Sequence, residues 1–126
     1  REETDETKLM QLLLSTVLRI NNGKITVNRN IGELIDICRH LPFDDSEGGE
    51  KITPKEAHDE LLRIGIKVDP KSIIISNSHE GIKNLLRNTH FCHNWARTLK
   101  RMDGAESLDQ VKFKGVKTRA VSVAWN

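Results

Sequence analysis

The sequence predicts an α+β fold, mainly α: a winged helix-turn-helix with a small β-hairpin wing and an N-terminal helical extension. Three observations carry that expectation. Three capping-box patterns, Asn30-x-x-Glu33, Thr53-x-x-Glu56 and Asn77-x-x-Glu80, each precede an amphipathic stretch. From residue 51 onward the elements run helix, strand, helix, tight turn, helix, strand, basic turn, strand, which is the order of a winged helix. Finally, Thr118–Trp125 alternates small and apolar residues just beyond Gly115, as the closing strand of a hairpin does.

The size of the chain agrees with one domain. Its 126 residues are enough to bury a core without metal or disulfide staples. Charged residues reach 30%, but 20 basic side chains nearly balance 18 acidic ones, which disfavours disorder. The longest apolar run is Leu12-Leu13-Leu14, too short for a membrane span or a signal-peptide core. Two cysteines, Cys38 and Cys92, make no disulfide framework, and a reduced cytoplasmic protein is expected. The first residue is Arg1 rather than Met, as in a segment of a longer protein.

Residues 1–50 are expected to form the extension: helix, short strand, helix, acidic loop. Leu9, Leu12, Leu13, Thr16, Val17 and Ile20 recur at helical spacing and predict one helix, stopped by Asn21-Asn22-Gly23. Lys24–Val27 alternates as a strand does. Asn30 and Glu33 box a helix over Ile31–Leu41, with Leu34, Ile35, Cys38 and Leu41 inward and Pro42 closing it. Asp44–Glu50 is acidic, holds two glycines and reads as an exposed connector.

Residues 51–126 hold the predicted winged helix-turn-helix. Thr53, Pro54 and Glu56 start a helix that Gly65 ends. Ile66–Val68 and Ser72–Ser76 are strand pieces around Asp69-Pro70-Lys71, and the β-branched Ile73-Ile74-Ile75 suits a buried strand. Asn77 and Glu80 open a helix with Ile82, Leu85 and Leu86 inward. Thr89 caps another over 90–102, ended by Gly104. Ala105–Gln110 reads as irregular, Val111–Lys114 as a strand, and Gly115 as the turn of the wing.

The balanced total charge hides an asymmetry. Residues 1–50 carry six basic and ten acidic side chains, whereas residues 81–126 carry nine basic and three acidic ones. A positive patch of that size attracts polyanions, although a solvated Lys/Arg surface gives the same counts. Position separates the two. On a helix over 90–102, Phe91, Cys92, Trp95, Leu99 and Met102 share one side, and His90, His93, Asn94, Arg97, Lys100 and Arg101 the other. Lys112, Lys114, Lys117 and Arg119 cluster about Gly115, and Lys83 and Arg87 lie four apart on the preceding helix. A basic helix beside a basic hairpin is a phosphate-binding arrangement. Double-stranded DNA is the expected partner, the helix 90–102 in the major groove and the wing on the backbone. Arg97 and Asn94 are the candidates for base reading, because Arg matches guanine and Asn matches adenine in bidentate fashion. Lys83, Arg87, Lys100, Arg101, Lys112, Lys114, Lys117 and Arg119 are the candidates for phosphate contact, with His93 as a further donor.

The segments HNWARTLKRMDGAE and VKFKGVKTRAVSVAW also resemble the C-terminal winged-helix region of phage- and plasmid-encoded replication proteins of the primase–helicase type. Trp95, Leu99, Arg101, Gly104, Ala105, Phe113, Gly115, Thr118, Arg119, Ala120 and Val121 carry the resemblance, which covers about residues 51–126. It implies a DNA-binding accessory module of a mobile-element replication protein, with replication proteins as further partners and any ATPase or primase activity elsewhere in a longer chain. The sequence contains no Gly-x-x-x-x-Gly-Lys-Ser/Thr loop, so this segment is not itself a P-loop motor.

Other chemistries are weaker. His90, Cys92 and His93 are close in sequence, but on a helix Cys92 points away from the two histidines, and a structural zinc needs four converging ligands. No metal and no cofactor is therefore expected. Asp59-Glu60 has Lys55 and Arg63 nearby and reads as surface ion pairing, so no catalytic residue is assigned and the segment is expected not to be an enzyme. The competing expectation is a winged-helix protein-docking module, insensitive to charge reversal at Arg97 or Arg119.

Overall fold

A computed structural model describes residues 3–21, 23, 26–41 and 52–125. Among these residues the chain forms five helices and six strands, the strands in two antiparallel sheets, at about 39% helix and 32% strand. The mainly α winged helix-turn-helix expected from the sequence is therefore corrected to a mixed α+β protein. The elements are α1 (Asp5–Ser15), β1 (Val17–Asn21), β2 (Thr26–Asn30), α2 (Ile31–Cys38), α3 (Pro54–Ile64), β3 (Ile66–Val68), β4 (Ser72–Ser76), α4 (Glu80–Leu86), α5 (Trp95–Lys100), β5 (Glu106–Phe113) and β6 (Val116–Ala124).

Strand was gained at two places the sequence assigned otherwise. The expected helix through Ile20 stops at Ser15. Thr16 donates its hydroxyl to Leu12 O at 2.7 Å and its N–H to Leu13 O at 3.2 Å, and Val17–Asn21 then pairs with Thr26–Asn30. The apolar spacing fitted a helix, but β-branched Thr16, Val17 and Ile20 tolerate a strand, and a pairing partner decides the outcome. The second place is Ala105–Gln110, expected to be irregular. Most of it belongs to β5, the edge strand, whose ladder with β6 shifts register between Leu108 and Val111. An edge strand keeps one side in solvent and so accommodates a polar sequence.

Helix was lost where a recognition helix was expected. The stretch 90–102 contains only the six residues of α5, preceded by turns. Thr89 Oγ1 accepts the Phe91 N–H at 3.2 Å, and Asn94 sits at φ −138° with no side-chain cap. The run Thr-His-Phe-Cys-His-Asn is poor in strong helix formers, and nothing else compensates. Likewise Asn77 does not cap α4. His79 does, its Nδ1 accepting the Gly81 N–H at 2.9 Å, while Ser76 Oγ takes the N–H groups of Ser78 and His79. The other two capping boxes are present, at Asn30/Glu33 and Thr53/Glu56, and Gly65 ends α3 at φ +97°. Leu41 lies beyond α2, 40% exposed, rather than on its buried stripe. The Asp44–Glu50 connector, Pro42, and Lys24 and Ile25 of the first predicted strand lie outside the described residues.

The larger sheet has the order β3-β4-β6-β5. One face carries Ile66, Ile73, Ile75, Val121 and Val123, which join Leu9, Leu13, Ile31, Leu34, Leu61, Trp95 and Leu99 in one cluster. Both halves of the sequence thus feed a single core. The opposite face carries a smaller cluster of Ile74, Phe113 and Ala120 against Leu62. At the far end, Arg39 stacks over Trp125 with its guanidinium carbon 4.0 Å from the ring centre.

β4 stops at Ser76, opposite Ala120, but β6 begins four residues earlier at Val116 and there pairs only with β5. The β5–β6 ribbon therefore overhangs the sheet by about 13 Å at strand rise. Its tip is the two-residue turn Lys114-Gly115, with φ +47° and +91°. Both central residues having positive φ is the turn geometry that matches the twist of a tight hairpin.

Candidate nucleic-acid interface

Four elements meet at the end of the molecule from which the ribbon projects. Gly65 O, at the end of α3, accepts the Ser76 N–H at 2.9 Å. Buried Trp95, at the start of α5, donates its indole N–H to Ser76 O at 2.8 Å. Asn77, leading toward α4, donates its backbone N–H to Arg119 O on the ribbon at 2.9 Å. Gly81 in α4 lets that helix touch α3: a Cβ there would stand 2.5 Å from Ile64 Cα. A sequence with a larger residue at 81 could not close this corner.

The burial pattern along 90–102 survives the loss of regular helix. Phe91, Trp95 and Leu99 are buried, and Cys92 and Met102 are half-buried against the core. His90, His93, Asn94, Arg97, Lys100 and Arg101 are all exposed. Two adjoining depressions open on this exposed side. One, of about 350 Å³, lies between Lys83, Arg87 and His93. The next, of about 290 Å³, is lined by Asn77, Asn94, Trp95, Arg97 and Lys100, and His93 borders both.

The ribbon adds to the same side. Strand alternation places Lys117 and Arg119 on the face of β6 that also presents Val121 and Val123, the face α5 packs against. Lys112 pairs directly with Lys117 and shares that face. Like charges set opposite one another across two strands are unfavourable. Lys114 sits at the tip.

The cations differ in what already holds them. Lys83 Nζ is 3.6 Å from Glu80, and Arg87 donates to Asn84 Oδ1 at 2.6 Å. Arg101 Nε lies 3.1 Å from Glu6, which ties the end of α5 to α1, and Arg101 lines neither depression. Glu6 is held below the usual carboxylate range by hydrogen bonding to its own backbone, with Thr4 and Arg101 adding to that against some desolvation. By contrast, Arg97, Lys100, Lys112, Lys114, Lys117 and Arg119 have no acidic partner within 4.0 Å among the described residues.

Asn77 is a residue that sequence reasoning assigned to the wrong task. Read as a helix cap, it is relieved of that work by Ser76 and His79, and its Oδ1 is shielded from solvent with no donor. The nearest sequence signal was the Ser76-Asn77-Ser78-His79 run itself, which holds more capping side chains than one helix end uses.

Among the described residues no three His, Cys, Asp or Glu side chains come together as metal ligands. Burial pushes the Cys38 thiol up to about 11, so it stays protonated near neutral pH. Glu60 is 3.8 Å from Arg63, a surface pair on α3. No described helix is long and apolar enough to cross a membrane.

No protein-family model, curated protein or solved structure matches this chain.

Proposed function

We propose that this chain is a non-catalytic DNA-binding domain, working through the face formed by the α4–α5 corner and the overhanging β5–β6 ribbon. The observation that carries the proposal is the set of six cations without acidic partners among the described residues, Arg97, Lys100, Lys112, Lys114, Lys117 and Arg119, placed on one end of the molecule. Ordinary solvated surface cations are interspersed with carboxylates. A run of unpaired ones across a corner and a projecting ribbon follows a phosphate backbone instead.

The six-residue α5 is too short to lie along a groove and read several base pairs. Backbone contact, with the ribbon laid along one strand and α5 beside it, is the mode the geometry favours. The resemblance in residues 51–126 to mobile-element replication proteins agrees with a DNA-binding role and supports no more than that.

The test is fluorescence anisotropy with a random-sequence duplex across a salt series. If five or six phosphates are engaged, the logarithm of affinity falls against log salt with a slope of about −5. A slope near zero, or no binding at low salt, would overturn the proposal and make protein docking the leading alternative.

A further inference from the structure

Val116 stands at the tip of the overhanging ribbon, and we infer that it enters the major groove of a duplex and packs on the 5-methyl group of a thymine. This inference rests on the DNA-binding proposal and deepens it to one specificity-determining residue.

Among the described residues three large apolar side chains are exposed: Val17, Leu41 and, at 46%, Val116. Single exposed apolar residues are ordinary on a protein surface, so place decides what each one means. Val116 is the one set among exposed cations. Lys114 precedes it across Gly115, Lys117 follows it directly, and Lys112 pairs with Lys117 on the other strand.

The tip stands clear of the molecule, since a Cβ on Gly115 would meet nothing within 4 Å. It is nevertheless held in place. Phe113, the cross-strand partner of Val116, is fully buried against Ile74 and Ala120. An anchored tip has little ordering cost to meet on binding. Lys114 adopts φ +47°, a left-handed conformation that glycine or asparagine takes far more readily than lysine. Strain of this kind collects where a protein meets its ligand, and here it keeps a positive charge at the leading point of the ribbon.

Dimensions select the groove. Two strands about 4.8 Å apart, with their side chains, are too broad for a minor groove about 6 Å wide and fit a major groove about 12 Å wide. The overhang of about 13 Å exceeds the major groove's depth of about 8.5 Å. With Lys112 and Lys117 on the phosphates of one strand, the tip reaches past that strand to the base edges. The thymine 5-methyl is the one apolar group in the pattern displayed there. The rest are hydrogen-bond donors and acceptors, which a valine leaves unmatched.

The experiment measures anisotropy at one fixed salt concentration on two duplexes of the same mixed sequence, one with thymine and one with deoxyuridine throughout. They differ only in the 5-methyl groups. The wild type is expected to bind the thymine duplex about fourfold more tightly, the effect of burying one methyl. Val116→Ser changes an exposed side chain, so its thermal midpoint is expected to hold, while both duplexes bind as the wild type binds the deoxyuridine one. Lys117→Ala is expected to weaken both duplexes alike and to keep the fourfold ratio, as loss of a phosphate contact does. Equal binding of the two duplexes by the wild type would overturn the thymine contact and leave the DNA-binding proposal standing. Binding of neither at low salt would overturn both. A fourfold ratio that survives Val116→Ser would remove Val116 from the contact.

Discussion

Lys100 and Arg101 are adjacent, both exposed and both basic, yet their surroundings separate them. Lys100 borders the smaller depression with no acidic partner among the described residues, whereas Arg101 is held 3.1 Å from Glu6. Lys100→Ala is expected to weaken duplex binding severalfold and to make the salt slope shallower by about 1. Arg101→Ala is expected to change affinity less than twofold, because its charge is already spent on α1. A salt series on both variants checks this, and equal losses would show that the Glu6 pair does not matter to binding. The sequence could place both residues on the outer side of the stretch from spacing alone. It could not show which was occupied, since Glu6 is about 95 positions away in the chain. Asn77 carries the same lesson: the Asn-x-x-Glu pattern is a true local signal, but Ser76 takes the His79 N–H and the helix starts later, capped by His79 on the Gly81 N–H.

Elements whose ends are fixed by strong local chemistry were legible. α2 and α3 begin where their capping boxes say, and Gly65 ends α3 in the left-handed conformation only glycine adopts cheaply. Elements decided by a distant partner were not. Val17–Asn21 became strand because β2 pairs with it, and Glu106–Gln110 became strand because β6 does. α5 is short because its preceding residues have weak helix preference, which an amphipathic pattern conceals. The corner of α3 and α4 depends on Gly81, whose neighbours were also invisible to local reading. Gly81→Ala would force a Cβ to within 2.6 Å of Ile64 O and 2.5 Å of Ile64 Cα, both backbone atoms. The variant is expected to lose about 3 kcal/mol in urea unfolding, the upper part of the range for overpacking. A loss below about 0.5 kcal/mol, no more than an ordinary surface substitution, would show that the corner opens freely.

The charge asymmetry of the whole molecule was plain in the counts, but its shape was not. What converts a basic C-terminal third into one surface is the register of β4 against β6, which ends the sheet at Ser76 and leaves the ribbon projecting beside α5. The central claim is that this end, rather than positive charge in general, binds DNA. The most direct measurement compares two double charge reversals with equal net charge. Arg97→Glu with Lys100→Glu alters the corner. Lys55→Glu with Lys71→Glu alters the opposite end, where α3 begins and where the turn into β4 lies. All four side chains are exposed, so both variants are expected to fold. At fixed salt, the account predicts that the first variant loses duplex affinity by 100-fold or more, on the order expected when several charge contacts become repulsive, while the second loses less than about threefold, the part due to net charge alone. Equal losses in the two variants would contradict it, showing that the protein attracts DNA by its overall charge and has no dedicated face.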